Sequence, residues 1–191
     1  MKPWISIACL WLLVGCAPTV PFDANLNLSV TEQLQRRYPE GTAASLQGHD
    51  GRDYPEIARY TIKNDPAVAI PNRHPPQLIV SEHLAIGFRE QGLVFEHQAP
   101  VHLLLEIDEL LASVTKPKVL YDISAVSAVS VTVTGSSDSL TKRYRKESTR
   151  VTVTRPELED LESLLNEQLS RIVQQILDDE EIRKLIISSR K

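Results

Sequence analysis

Five histidines are the first residues whose type could bind a metal: His49, His74, His83, His97 and His102. Their successive separations are 25, 9, 14 and 5, so none forms the i, i+4 pair of a helical zinc motif. His97 and His102 flank a turn at Pro100 and could meet across it, with Glu96 or Glu106 nearby. Zinc needs three or four convergent ligands, and this group does not promise them, so no metal is expected. Serine nucleophiles sit on strained elbows such as G-x-S-x-G, whereas Gly135-Ser136-Ser137 reads as a hairpin loop. The carboxylates Glu106 and Asp108 fall on the polar side of a strand, and those of Asp178 to Glu181 fall at a helix end where negative charge is favoured. A glycosidase would need two carboxylates about 5 to 9.5 Å apart in a cleft, and no Gly-rich stretch that could cradle a phosphate is present. These patterns point to a protein with no catalytic residues, no enzyme activity and no cofactor.

The stretch that does promise chemistry is Leu13-Val14-Gly15-Cys16. Ahead of it stand Lys2 and an apolar run from Trp4 to Val14 interrupted by Ser6. That run is too short to cross a bilayer, which takes about 20 apolar residues, and it reads as the apolar core of a secretory signal. Leu-Val-Gly-Cys resembles the lipobox of bacterial lipoproteins. The resemblance implies cleavage between Gly15 and Cys16, diacylglycerol on the Cys16 sulfur and acylation of the new amino terminus. Two or more acyl chains, each adding about 0.8 kcal/mol per buried CH₂, hold a protein stably on a membrane. The next residue is Ala17 rather than aspartate, which in lipoproteins of two-membrane bacteria implies transport to the outer membrane.

Removing residues 1–15 leaves 176 of the 191, suited to one domain plus a tether. The two cysteines are Cys9, lost with the signal, and Cys16, so no disulfide or cysteine nucleophile is expected. One of the 21 basic residues, Lys2, also leaves, giving 20 basic against 25 acidic side chains and a net charge of −5. An acidic chain whose one basic cluster is Lys142-Arg143-Tyr144-Arg145-Lys146 is not a nucleic-acid binder. That cluster reads as a strand edge protected by charge.

The elements follow from periodicity. Residues 16–41 are polar and broken by Pro18, Pro21 and Pro39, as in a tether, although Leu26, Leu28 and Val30 alternate like a half-buried strand. Thr31 to Tyr38 has room for a helical turn or two. Short strands are expected at Thr42–Leu46, at Ile57–Ile62 with Ala67–Ile70 as a hairpin, and at Leu93–Phe95. Val80, Leu84 and Phe88 mark a helix entered at Pro75-Pro76 and ended by Gly92. Three long strands should form an antiparallel meander. In the first, Val101, Leu103, Leu105, Ile107 and Leu111 share a face; in the second, Val119 to Val133; the third runs from about Leu140 to Val153. Thr154-Arg155-Pro156-Glu157 reads as a capping box, opening a helix whose stripe runs from Leu158 to Ile176, with a short last helix carrying Ile182, Leu185 and Ile186. The expectation is one α+β domain over residues 42–191, a mainly antiparallel sheet with helices packed on one face.

Several stretches together resemble the YajG family of bacterial outer-membrane lipoproteins: Gly48-x-Asp50-x-Arg52, Arg89-Glu90-Gln91-Gly92-Leu93, Leu120-Tyr121-Asp122-Ile123, Lys142-Arg143-Tyr144-Arg145 and the closing helices. The resemblance implies a lipid-anchored α+β domain facing the periplasm and transfers no activity or catalytic residue. Asp50 and Arg52, two residues apart beside a turn, read as a structural pair. The expected partners are the membrane, through lipid on Cys16, and another envelope component. Tyr121-Asp122, Lys142 to Lys146 and Asp53-Tyr54 are the candidate contact segments. The alternative is a small-ligand or lipid-handling module accessory to a transport system, which would need an apolar pocket between helix and sheet.

Overall fold

The computed structural model describes residues 23–30, 35–63 and 65–189, so Gly15 and Cys16 lie outside the described residues. The elements run β1 (Ala43–Asp50), β2 (Glu56–Ile62), β3 (Val68–Pro71), α1 (Pro76–Glu90), β4 (Val94–Phe95), β5 (His102–Lys116), β6 (Tyr121–Thr134), β7 (Ser139–Thr152), α2 (Leu158–Asp178) and α3 (Glu180–Ser188). The fold is α+β, but the sheet is mixed rather than mainly antiparallel. β5 pairs antiparallel with β6, and β6 with β7, giving the expected meander. On its other edge β5 carries two strands end to end, both parallel to it. β1 lies along His102 to Ile107, and β2 lies along Ala112 to Lys116. Parallel pairing requires a crossover connection, which α1 supplies, and the expectation failed because alternation reports burial and not strand direction.

β5 also contains a bulge. The pairing with β6 shifts between Ile107 and Glu109, so the buried set passes from Leu103, Leu105 and Ile107 to Leu110, Ala112 and Val114. Leu111, expected on the core face, is therefore turned away from it: one extra residue exchanges the two faces of a strand.

Both long helices bury a stripe against one face of the sheet. α1 contributes Val80, Leu84 and Phe88, and α2 contributes Leu161, Leu165, Leu169, Ile172 and Ile176, all at most 1% exposed. Gly92 has φ of 95°, the left-handed conformation that ends α1 without a Cβ clash. The cap of α2 sits three residues later than expected. Glu157 is the N-cap, and its backbone N–H donates to Asp160 Oδ2 at 3.0 Å, while Thr154 is bonded to Thr152. Within the otherwise apolar α2 interface, Gln168 is fully satisfied. Its Oε1 accepts from Ser127 Oγ at 2.8 Å, and its Nε2 donates to the Ala125 carbonyl at 3.1 Å and to Ser148 Oγ at 2.9 Å. Such a network fixes register where leucines alone could slide.

Part of the segment read as tether is packed on the domain. Ala24, Leu26 and Leu28 are buried and the intervening Asn25, Asn27 and Ser29 exposed. The alternation is that of a strand, yet from Asn25 to Val30 no strand partner is found among the described residues. Instead the N–H groups of Asn25, Asn27 and Ser29 donate to Glu162, Asn166 and Ser170 of α2 at 2.8, 2.9 and 3.0 Å. Two extended residues rise about 6.6 Å and four helical residues about 6 Å, so every second N–H meets every fourth side chain. The segment thereby runs parallel to α2, and His83 of α1 contacts the Leu28 carbonyl at 3.1 Å from the other side. Residues 31–34, half of the expected helical stretch, lie outside the described residues; residues 35–38 are not helical, and Tyr38 is buried edge-on against Phe88.

Candidate functional site

An open cleft of about 730 Å³ lies between one face of α1 and the edge of the sheet formed by β1, β4 and the start of β5. α1 supplies Ser81, Glu82, Ala85 and Arg89; β1 supplies Ser45, Leu46 and Gln47; Phe95, Glu96, His97 and His102 close the far side. The helix approaches β1 closely at Gly48, where a Cβ would run into Ser81 Oγ and the Gln77 carbonyl. Arg89 lies over the Phe95 ring at 5.5 Å from its centroid, which positions a guanidinium at the rim by cation–π attraction. The cleft therefore offers both carboxylates and a guanidinium above an apolar base of Leu46, Ala85 and Phe95.

His97 and His102, expected to meet across the turn at Pro100, both line this cleft, with Glu96 beside them. Among the described residues no three His, Cys, Asp or Glu side chains are grouped so as to hold a metal ion. His102 Nδ1 is instead 2.7 Å from Ser45 Oγ. A serine and a histidine so placed are the first two members of a nucleophile–base arrangement, but catalysis also needs a group that orients the base. Among the described residues no carboxylate is bonded to the other ring nitrogen of His102. Ser45 and His102 are directly opposite in the β1–β5 register, so the contact is an ordinary cross-strand pair on an exposed edge.

Asp50 and Arg52 stand at the other end of β1 and form a structural joint. The Arg52 side chain is 1% exposed. Its Nε and Nη2 donate to Asp50 Oδ1 and Oδ2, both at 2.8 Å, and its Nη1 donates to the carbonyls of Glu56 and Leu110 at 3.1 Å each. Leu110 lies between the stretch of β5 paired with β1 and the stretch paired with β2, so the guanidinium fills the gap between those two strands. Burial pushes the Asp50 carboxyl up, but the hydrogen bonds and charge of Arg52 outweigh it and hold the group below the usual carboxylate range. Two guanidinium groups lie over the Tyr54 ring, those of Arg52 and Arg59 at 5.6 and 5.7 Å from its centroid. Asp53-Tyr54 is thus tied to the same joint.

The basic cluster on β7 is largely paired. Lys142 Nζ and Tyr144 OH donate to Asp179 Oδ2 at 2.7 and 2.8 Å, and Asp179 Oδ1 accepts from the N–H groups of Glu181 and Ile182 as the cap of α3. Burial raises Asp179, yet Lys142, Tyr144 and the Ile182 N–H together keep its carboxyl below the usual range. On the opposite face Arg143 bonds Asp108 and Glu109 at 3.0 and 2.6 Å, and Arg145 bonds Glu147 at 2.5 Å. Among the described residues β7 pairs only with β6, so the cluster decorates a strand edge.

Residues 30–187 match the family described as uncharacterized lipoprotein. The chain belongs to this family. Within it the chain is 24% identical over 147 residues to the uncharacterized lipoprotein YajG of Escherichia coli K12, covering 75% of this chain and 74% of that protein, and equally to YajG of strain CFT073. The resemblance to the YajG family is thus shown over the domain, and in this chain Asp50 and Arg52 join β1 to the end of β5 that pairs with β2. Among solved structures, protein XCC0632 from Xanthomonas campestris has the same fold at 11% identity, with a TM-score of 0.57 over 86% of this chain and 94% of that one. Among the described residues of this family member, no helix is long and apolar enough to cross a membrane.

The lining residues Ser45, Gln47, Glu82 and Ala85 were not singled out from sequence. They come from β1 and α1, two elements that meet only in the fold.

Proposed function

We propose that the protein is a non-catalytic lipoprotein of the outer membrane, anchored through lipid on Cys16, whose periplasmic domain binds or supports another envelope component. The observation that carries this reading is the Leu13-Val14-Gly15-Cys16 motif, in a chain whose domain belongs to a lipoprotein family. The α1–β1 cleft is the surface best suited to the partner. It is open, carries Glu82, Arg89, Glu96 and two histidines, and is not filled by any of the described residues. A photo-crosslinking residue at Glu82 or His97 of the full lipoprotein, in living cells, should trap one discrete partner, whereas the same residue at Ser136 should not. Equal crosslinking from both places, or none from the cleft, would refute this assignment.

A second reading is favoured by size. The cleft volume lies in the range of small-ligand sites, about 300 to 1,000 Å³, and its base is apolar. The interior between α2 and the sheet offers no comparable support, since Leu161, Leu165, Leu169 and Ile172 are all 0% exposed and fill it. Native mass spectrometry of protein purified from its host should show a co-purifying small molecule under this reading, lost on Ala85→Trp.

A further inference from the structure

The apolar residues that remain exposed are concentrated at one end of the domain. Among the described residues, Val119 is 76%, Leu120 42%, Val151 59% and Val153 76% exposed, four of the nine large apolar side chains left in solvent. Val119 and Leu120 form the tip of the β5–β6 hairpin, and Val151 and Val153 lie where β7 ends. The β6–β7 register pairs Tyr121 with Thr152 and Asp122 with Val151; continued by one step, it sets Leu120 across from Val153. Leu120, Val151 and Val153 are therefore neighbours on one face, with Asp122 beside Val151 and with Val119 next to them at the hairpin tip.

The chemistry around the patch is that of a membrane interface. Lys116 and Lys118 flank the hairpin tip, which has no carboxylate, and Lys116 is held over the Tyr121 ring at 4.4 Å while donating to its hydroxyl at 3.2 Å. Arg155 lies beside Val153, over the Tyr60 ring at 5.3 Å. The carboxylates at this end are Asp122, which the register sets opposite Val151, Asp65 in the β2–β3 turn, and Glu157, Glu159 and Asp160 at the start of α2, where the side chains of Glu157 and Asp160 are engaged in its capping box. Aliphatic tips with tyrosines and lysines behind them suit the boundary of acyl chains and phosphates.

The path of the chain supplies the direction. The segment 25–30 runs parallel to α2, from Glu162 towards Ser170, so followed backwards it heads for the start of α2, which is joined to Val153 by four residues. From Asp23 only seven residues lead back to Cys16, a reach of about 25 Å even when fully extended. The opposite end, at the Gly135–Asp138 turn, is about 45 Å from the hairpin tip along the 14 residues of β6.

We propose that the patch of Val119, Leu120, Val151 and Val153 is a second membrane contact, which seats this end of the domain in the headgroup region of the bilayer that holds its lipid. The inference rests on the lipid anchor at Cys16. It fixes orientation: the sheet stands on the membrane, and the Gly135–Asp138 turn points away from it.

The test uses the full lipidated protein, in which processing removes Cys9 and lipid occupies Cys16, so an added cysteine is the single thiol. Val119→Cys, Val153→Cys and Ser136→Cys, each carrying an environment-sensitive fluorophore, are reconstituted into vesicles of phosphatidylethanolamine and phosphatidylglycerol with spin-labelled lipid as quencher. The expected result is a blue shift and strong quenching at 119 and 153, with neither at 136. The double variant Val119→Asp, Val153→Asp, labelled at Leu120→Cys, should remain vesicle-bound and lose the quenching. Labels at 119 and 153 that stay in water on vesicle-bound protein would overturn the inference and leave the anchor standing. A signal that needs a protein from the envelope rather than lipid alone would overturn it in favour of a protein interface. Protein that fails to float with vesicles would overturn the anchor, and this inference with it.

Discussion

The two edges of β5 are built on opposite principles. Towards β6 and β7 it meets long antiparallel neighbours joined by short turns, and the pairing is continuous apart from one bulge at Asp108. Towards β1 and β2 it meets two short parallel strands with a gap between them, closed by a single buried arginine. The first edge is stabilised by many cross-strand contacts of modest strength. The second depends on one side chain that satisfies two backbone carbonyls and one carboxylate at once. The comparison teaches that a charged pair beside a turn can be structural rather than a binding site: Asp50 and Arg52 are where this sheet would otherwise come apart.

The largest effect should come from the layer that both edges share. Leu165 is fully buried between α2 and the sheet, and Leu165→Ala should cost about 3 kcal/mol, read as a lower urea midpoint with both edges unfolding together. Arg52→Ala should cost about 2–3 kcal/mol, because it leaves the Glu56 and Leu110 carbonyls and the Asp50 carboxylate without their donor. Its amide exchange should rise first in β1 and β2 while β6 and β7 stay protected, and uniform exchange would break the comparison. Asp179→Ala removes the cap of α3 and the acceptor of Lys142 and Tyr144, and about 1 kcal/mol should be lost. Arg143→Ala, on the exposed antiparallel side, should leave the midpoint unchanged, since a solvated ion pair contributes little.

Acid sharpens the same contrast. Asp50 and Asp179 have folded pKa values below their unfolded ones, so the stability they confer is present above the unfolded pKa, about 4, and is lost as pH falls through the folded values. Wild type should lose stability below about pH 4. Arg52→Ala should show a shallower loss, because Asp50 no longer has a guanidinium that depresses it.

The antiparallel edge and the helices were legible because their signals are local. Strand alternation from Val101 to Val153, the 3–4 spacing from Leu158 to Ile176 and Gly92 each report a geometry set within a few residues. The parallel edge was not, because nothing in Ala43–Asp50 or Glu56–Ile62 states which neighbour each strand will choose. The bulge at Asp108 was hidden too, so Leu111 was placed on the face that Leu110 occupies. In residues 25–30 the period of two was read correctly, but its partner is a helix rather than a sheet, a pairing that no strand rule anticipates. The cleft was half visible: His97 and His102 were linked by their shared turn, whereas Ser45 and Glu82 reach it only through the crossover that α1 makes.

Everything proposed about this protein's place in the cell depends on Cys16. The most direct measurement is Cys16→Ser in the native host, followed by the apparent mass of the protein and its distribution between soluble and outer-membrane fractions. The account predicts that wild type is processed and sediments with the outer membrane, while the variant keeps residues 1–15 or leaves that fraction. Unchanged processing and unchanged location would contradict the lipid anchor, and the orientation of the domain on the bilayer would fall with it.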